Sequence, residues 1–375
     1  MTGLKNLIAK LGNNSGLKKL LPVGLRDFLR NRSNLYEYNL NNWKSNIPLI
    51  GTDKEFEFKG KSSITVGIIY DFSQRHINYL DACINLGISY KVIDIYSNDW
   101  IEMIEKQPEI EHYFTWPSTY SNVWKTVLDE RLMYLEKHFN KKVFPENLST
   151  WIYESKRRLK DWFNLNNIKI PETYVFYHRG EAIDFLDKTK YPVVFKSDLG
   201  AGGTGVRILK TKSEAKQLVD QLFYKTFIPK RLDPRETQWG FIMFQEYLKD
   251  VEEWRVSRIG DGFFVRLKEK VGEFHSGSGK INWEKARPEI LDMAKEVTDK
   301  GNFKSMGVDI FETSDGELFV NEIHTVFGVQ QLVTDENSGK WSFENDKWSF
   351  EQGEFSEFQF AKERISYVLG LEINF

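Results

Sequence analysis

Several things are scarce in this sequence. Of its 375 residues only Cys83 is a cysteine, so no internal disulfide can form and a reducing compartment is expected. No run approaches the roughly 18 apolar residues of a membrane span. The basic N-terminus lacks the continuous apolar core of a signal peptide. An excess of one charge is also missing. The 52 Lys and Arg stand against 54 Asp and Glu, a formal net charge of −2, which gives no global bias toward nucleic acid. With 41% apolar and 28% charged residues, the chain reads as globular, with a sizeable core and room for about two or three domains.

What is present is organised around Tyr191 to Leu209. Val193, Val194 and Phe195 make a short apolar strand, and Val206 and Ile208 alternate with Arg207 and Leu209 in a second one. Between them Gly200, Gly202, Gly203 and Gly205 leave backbone N–H groups free to close around phosphate oxygens. Lys196 leaves the first strand just before the loop, where its ammonium can reach the same oxygens. Gly200-x-Gly202-x-x-Gly205 also fits the dinucleotide fingerprint, but that device needs a helix opening at the glycines, and here a strand follows. A glycine-rich surface hairpin beside a chance lysine is the plain alternative.

In chain order, Met1 to Arg32 carries leucines at helical spacing and seven basic residues against Asp27 alone. It reads as a helical pair packed on the body or on a second subunit, or as a segment lying on an anionic membrane surface. Residues 1–60 form this segment and a connector. The run Ile64 to Tyr70, a helix near Ile77 to Leu86 and a strand at Tyr90 to Ile95 make a βαβ unit in an α/β domain over 61–150. Gly67 opens no phosphate fingerprint, so this unit suits a substrate platform. A nucleotide-loop subdomain spans 151–240 and begins with one helix, Thr150 to Asn164. A C-terminal subdomain spans 241–375, with a helix over Glu284 to Lys300 and a hairpin turning at Asp315-Gly316. Its tail repeats Lys340-Trp341-Ser342-Phe343-Glu344 as Lys347-Trp348-Ser349-Phe350-Glu351, an aromatic hairpin or lid before a closing helix, Phe358 to Leu369.

Charged residues gather on the strands of the last subdomain. Asp309 lies on the first strand of the Asp-Gly hairpin; Glu322 and His324, two apart, share one face of the second. Clustered carboxylates call for a cation, and magnesium suits carboxylate and phosphate oxygens. Solvated carboxylates on an open hairpin are the bland reading. Arg255 and the alternating Arg266, Lys268 and Lys270 would line one face beside that site, as cations holding a transferring phosphoryl group. Alternating basic residues are also common on solvated strands.

The order of these parts resembles the ATP-grasp superfamily, especially the branch with glutathione synthetase, D-alanine–D-alanine ligase and the ribosomal-protein glutamate ligases. The likeness covers roughly Trp151 to Gly328. Glu154 to Lys160 resembles the family's DKxxxK helix and Tyr191 to Lys196 its P-V-V-K strand. The resemblance makes Lys156 and Lys196 ATP-phosphate lysines and Gly200 to Val206 the phosphate-covering loop. Gln245-Glu246-Tyr247-Leu248 is similar to the adenine-reading hinge, with Glu253 in the place of a ribose-binding carboxylate. Gly272 to Gly279, with His275, is similar to the loop near the acyl phosphate. Gly307-Val308-Asp309 and Asn321-Glu322-Ile323-His324 match metal-binding G-V-D and E-x-N, with histidine where relatives carry asparagine. The acceptor loop also lacks the family asparagine after Ser276.

The resemblance implies an α/β (α+β) ATP-grasp fold with ATP between the last two subdomains, and magnesium, or manganese, at Asp309, Glu322 and His324. It implies a cytoplasmic, ADP-forming carboxylate–amine ligase working through an acyl phosphate on small-molecule substrates or on a cell-surface saccharide or peptide precursor. Lys156, Lys196 and Arg266 would hold the developing charge, with Arg255, Lys268 and His275 beside them. A phosphotransferase and an inactive nucleotide-binding scaffold are the rival readings. No nucleic-acid partner is expected. A homodimer and peripheral membrane contact through residues 1–32 complete the expectations.

Overall fold

A computed structural model describes residues 56–71, 75–117, 122–200, 203, 205–228, 236–270, 281–327, 336–353 and 357–371. The basic segment 1–32, Gly202 and His275 with its loop therefore lie outside the described residues.

The first sheet gathers β1 (Glu57–Phe58), β2 (Thr65–Ile69), β3 (Ser89–Ile93), β4 (His112–Phe114) and β5 (Lys142–Phe144) in the order β1-β3-β2-β4-β5. β2 to β5 run parallel and β1 pairs antiparallel with β3. α1 (Ile77–Leu86), α2 (Trp100–Glu105) and α3 (Asn122–Lys137) supply the crossovers. Tyr79, Leu80 and Cys83 of α1 pack on one face and Leu128, Leu132 and Leu135 of α3 on the other, so β2 is buried from Val66 to Ile69.

The helix expected over Thr150 to Asn164 is two helices, α4 (Asn147–Ile152) and α5 (Lys156–Leu165). Glu154 takes a left-handed backbone with φ 62°, and the Ser155 hydroxyl accepts from Arg158 N as the new N-cap. This break starts α5 at Lys156.

A four-stranded sheet follows, in the order β6-β9-β7-β8, from β6 (Thr173–Phe176), β7 (Val193–Lys196), β8 (Val206–Leu209) and β9 (Ile242–Glu246). α6 (Arg179–Lys188) and α7 (Lys212–Tyr224), the latter opened by a Thr211–Glu214 capping box, cover it through Leu186, Leu218 and Leu222. β7 and β8 are the two arms of the glycine hairpin, in register from Val193↔Leu209 to Lys196↔Val206.

The largest sheet has the order β14-β13-β10-β11-β15-β16, with β12 also paired to β11. Its strands are β10 (Glu252–Ile259), β11 (Gly262–Lys268), β12 (Ile281–Asn282), β13 (Ser305–Glu312), β14 (Leu318–His324), β15 (Gly339–Glu344) and β16 (Lys347–Gln352). Trp254, Val256, Val265, Val308, Ile310 and Ile323 face α5 and α8 (Pro288–Lys300) in one core. α8 starts at Pro288, later than expected, because proline is favoured in the first turn and leaves no N–H to satisfy.

The duplicated tail is a hairpin that widens this sheet beyond β11. Trp341 and Phe350 face each other with rings 5.0 Å apart, as do Phe343 and Trp348, and Trp348 Nε1 donates to Asp292 of α8. α9 (Glu357–Leu369) then packs along α1. Its buried Arg364 donates to Ser305 of β13, Tyr79 of α1 and the Thr325 carbonyl, so one guanidinium joins the first and third sheets. Among the described residues no helix is long and apolar enough to cross a membrane.

A Cβ on Gly339 would stand 2.2 Å from the Glu351 carbonyl oxygen across the hairpin. Gly339→Ala is therefore expected to destabilise the fold by roughly 1–3 kcal/mol, the cost of overpacking against a rigid neighbour. A lower melting temperature in a calorimetric scan checks this; an unchanged one contradicts the pairing of β15 with β16.

Candidate functional site

Strand alternation writes a charged grid on the sheet face opposite α8. One row across the strands reads Phe311, Glu253, Lys268; the next Glu322, Asp309, Arg255, Arg266; the third His324, Gly307, Ser257, Phe264. The register shifts between Asp309 and Ile310. That irregularity lets Asn321 and Glu322, though adjacent, both line the same cleft, while Val320 and Ile323 stay in the core.

The cleft, about 920 Å³ and open to solvent, lies between this grid and the glycine hairpin. It brings together Lys156, Lys196, Gly200, Gly203, Glu246, Tyr247, Leu248, Glu253 and Glu322. Val194, Val206, Ile208, Val251 and Phe311 give it an apolar portion suited to a planar base. Lys270, read from alternation alone, lines it too. Gly205 closes the hairpin, its carbonyl accepting from Ser197 N at 2.9 Å. The turn needs φ values of 113° at Gly200 and 74° at Gly203, which side-chain-bearing residues rarely adopt. Asp198 ties the loop to α5: its Oδ1 accepts from Arg157 N at 2.9 Å and from the Ser155 hydroxyl at 3.0 Å.

Lys156 Nζ donates to the Gly200 carbonyl at 2.9 Å and lies 3.5 Å from Glu322. Burial acts to lower its pKa, but the carboxylates around it, Glu322 first and then Glu154 and Asp198, leave it raised. Lys196 Nζ donates to Asn321 Oδ1 at 2.8 Å. Burial dominates there and lowers the pKa to about 8. Asn321 is named from sequence only as a neighbour of Glu322, with no role of its own, since a bulge carries no signature in a single chain.

Arg255, Arg266, Lys268, Asp309 and His324 continue the face beyond the cleft's lining. Arg255 grips Asp309 with both prongs, Nε to Oδ1 at 2.7 Å and Nη2 to Oδ2 at 2.8 Å. Lys268 Nζ donates to Asp309 and to Glu253, and Asn321 Nδ2 reaches Glu253 at 3.3 Å. Burial favours protonated Asp309, yet Arg255 and then Lys268 hold its pKa well below the ordinary range. Burial raises the pKa of Glu253. His324 lies over Gly307, with Nε2 unbonded; burial and then Arg255 push its pKa far down, so the imidazole is neutral.

The expected metal set does not fit as arranged. Both Asp309 oxygens are taken by side-chain cations, which relieve the carboxylate repulsion that motivated a metal. Glu322 faces Lys156, and His324 presents its unbonded nitrogen toward Gly307. Among the described residues no three His, Cys, Asp or Glu side chains are grouped to hold a metal ion.

Two outcomes follow from this geometry. In the free protein Lys196 loses its proton as pH rises through about 8, so an anion binding above that pH must first restore the charge. Nucleotide affinity is expected to fall between pH 7 and pH 9 with proton uptake on binding, read by calorimetry in buffers of different ionisation enthalpy. A flat profile would show that Lys196 does not meet the nucleotide. Glu322→Gln is expected to cost roughly 10²-fold or more in turnover, against less than about 10-fold for His324→Asn, because only Glu322 lines the cleft. Equal losses in steady-state assays would put His324 in direct contact with the reacting groups.

Comparison with known proteins agrees with this architecture. A sequence profile of the RimK-like ATP-grasp domain matches residues 155–337. The alpha-aminoadipate–LysW ligase LysX of Sulfurisphaera tokodaii is 25% identical over 187 residues, 46% of this chain and 59% of that relative. A phosphoribosylamine–glycine ligase of Clostridium acetobutylicum is 32% identical over 122 residues, covering 32% of this chain and 27% of its own length. The chain thus spans under two thirds of the curated relatives it matches. The ADP complex of N5-carboxyaminoimidazole synthetase from Staphylococcus aureus superposes with a TM-score of 0.54 at 14% identity, covering 84% of this chain and 80% of that one. The Thermus thermophilus N5-carboxyaminoimidazole ribonucleotide synthetase gives 0.54 at 13% identity, covering 82% and 79%. Over residues 155–337, then, the chain carries an ATP-grasp domain of the RimK-like kind.

Proposed function

We propose that the chain is an ADP-forming carboxylate–amine ligase working through an acyl phosphate. The observation that carries this is adjacency. A cleft with two lysines and a glycine hairpin opens directly onto a sheet face bearing Arg255, Arg266 and Lys268. The first part suits a nucleoside triphosphate and the second an acid. Both curated relatives named above are ligases by name, which supports the same reaction class.

In this reading Lys156 and Lys196 draw charge off the phosphate oxygens while the glycine hairpin covers them with N–H groups. A carboxylate oxygen of the acid attacks the γ-phosphorus and ADP leaves. An amine nitrogen then attacks the acyl carbon, phosphate departs with the C–O electron pair, and the nitrogen gives up a proton. No step is routed through a metal, since the donor set does not fit one as arranged. Most of the acceleration comes from holding the two anions together. A cytoplasmic setting belongs to the same proposal.

The test is ADP release by the full-length chain against pools of amino acids, uronic acids and amino sugars, with and without added amine. A ligase releases ADP only when acid and amine are both present. ADP release with phosphate left on one substrate identifies a phosphotransferase, and no release with retained ATP binding identifies a scaffold. Lys196→Ala is expected to lower turnover by about 10²–10³-fold with an unchanged melting profile. Full activity in that variant would remove the proposal.

A further inference from the structure

Among the described residues of the grid, one cation has no hydrogen-bonded carboxylate. Arg255 and Lys268 are matched by Asp309 and Glu253, two cations against two carboxylates in one hydrogen-bonded cluster. In the nucleotide cleft Lys156 has Glu322 beside it, and Lys196 is held by the neutral amide of Asn321. Arg266 stands directly across from Arg255 on β11, half-buried, with no hydrogen bond or ion pair among the described residues. A guanidinium removed from water next to a second guanidinium is costly unless an anion answers it. Burial and then Arg255 lower its pKa, to about 10, which still leaves it charged near neutral pH.

Position decides which anion this is. Arg266 does not line the nucleotide cleft. In its row it is separated from Glu322 by β13 and β10, so three strand spacings of about 4.8 Å place its backbone roughly 14 Å from that of Glu322. The transferring phosphoryl group belongs beside Lys156 and Lys196, at the Glu322 end of that row. An acid reacting there and extending along the sheet face brings its far end toward Arg266.

We infer that Arg266 seats a second anionic group of the acid substrate, so that the acid activated by this chain carries two anionic groups, one reacting and one held. The inference rests on the ligase reading. It differs from the expectation that Arg266 shares the charge of the phosphoryl group in flight. A planar fork suits a carboxylate through two parallel N–H donors, a geometry lysine cannot reproduce.

The experiment supplies the full-length chain with ATP and hydroxylamine, a general nucleophile that converts an acyl phosphate to a hydroxamate. Acids are offered in pairs, succinate with butyrate, glutarate with pentanoate and adipate with hexanoate, and each again with an α-amino group. Dianionic members are expected to react in preference to their monocarboxylate partners. Arg266→Gln is expected to raise KM for the dianionic acid by roughly 10–100-fold, the loss of a charged hydrogen-bonded contact, with kcat and the affinity for a fluorescent ATP analogue held within about twofold. Arg266→Lys should recover part of the KM. Monocarboxylates that react as well as their partners would overturn the inference and leave the ligase reading standing. So would a fall in kcat with unchanged KM, or weakened nucleotide binding, in Arg266→Gln. If no acid of either kind yields hydroxamate or ADP, the ligase reading falls and the inference falls with it.

Discussion

Four charges, the buried Asp309, Lys268 and Glu253 and the half-buried Arg255, hold the middle of the large sheet in one arrangement. They occupy three adjacent strands, β13, β10 and β11, and each satisfies another across a strand boundary. Such a cluster adds little net stability, because desolvating the ions offsets most of their attraction. Its effect is on register. A slip of one residue in any of these strands would turn its charges into the α8 core and its apolar residues out to the cleft. The pairings Arg255↔Asp309 and Glu253↔Lys268 therefore decide where Glu322, Asn321 and Arg266 stand. Placement of the nucleotide cleft and of the anion-seeking face follows from the same four residues.

Much of the architecture was legible because it rests on periodicity. The glycine hairpin, the Asp-Gly hairpin and the βαβ unit all announce themselves by a change of hydrophobic period bounded by turn residues. The aromatic repeat was readable as a hairpin, yet its place at the sheet's end was not, since pairing partners distant in sequence leave no local mark. The single helix expected over Thr150 to Asn164 failed at Glu154, a residue with no intrinsic claim to a left-handed backbone. Ser155 and Asp198 make that conformation worthwhile by capping α5, and Asp198 comes from a loop more than forty positions away.

The candidate site was legible in its residue types more than in its partnerships. Lys156, Lys196 and Glu322 could be chosen from motif positions, and they do meet in one cleft. Asp309 could be chosen too, but composition cannot tell whether a carboxylate's neighbour will be a metal or an arginine. Here Arg255 reaches it with ideal fork geometry. Asn321 was given no role because its direction depends on one irregular step in the β13–β14 ladder. Arg364 escaped because its partners are drawn from both ends of the chain.

The repeated pentapeptide has a property that neither copy has alone. Laid antiparallel in the observed register, Lys340 meets Glu351, Trp341 meets Phe350, Ser342 meets Ser349, Phe343 meets Trp348 and Glu344 meets Lys347. Lys-Trp-Ser-Phe-Glu is thus its own complement: reversed against itself it matches opposite charges at both ends, unlike rings inside them and like hydroxyls at the centre. By pattern alone, such a segment would pair with a copy from a neighbour as well as with the one in the same molecule. The choice between them is made outside the strands, by Asn345 and Asp346, whose positive φ values close the tight turn, and by the Trp348–Asp292 bond that fastens the result to α8. Selectivity for self over neighbour is a matter of tether length, and it resides in two residues of turn.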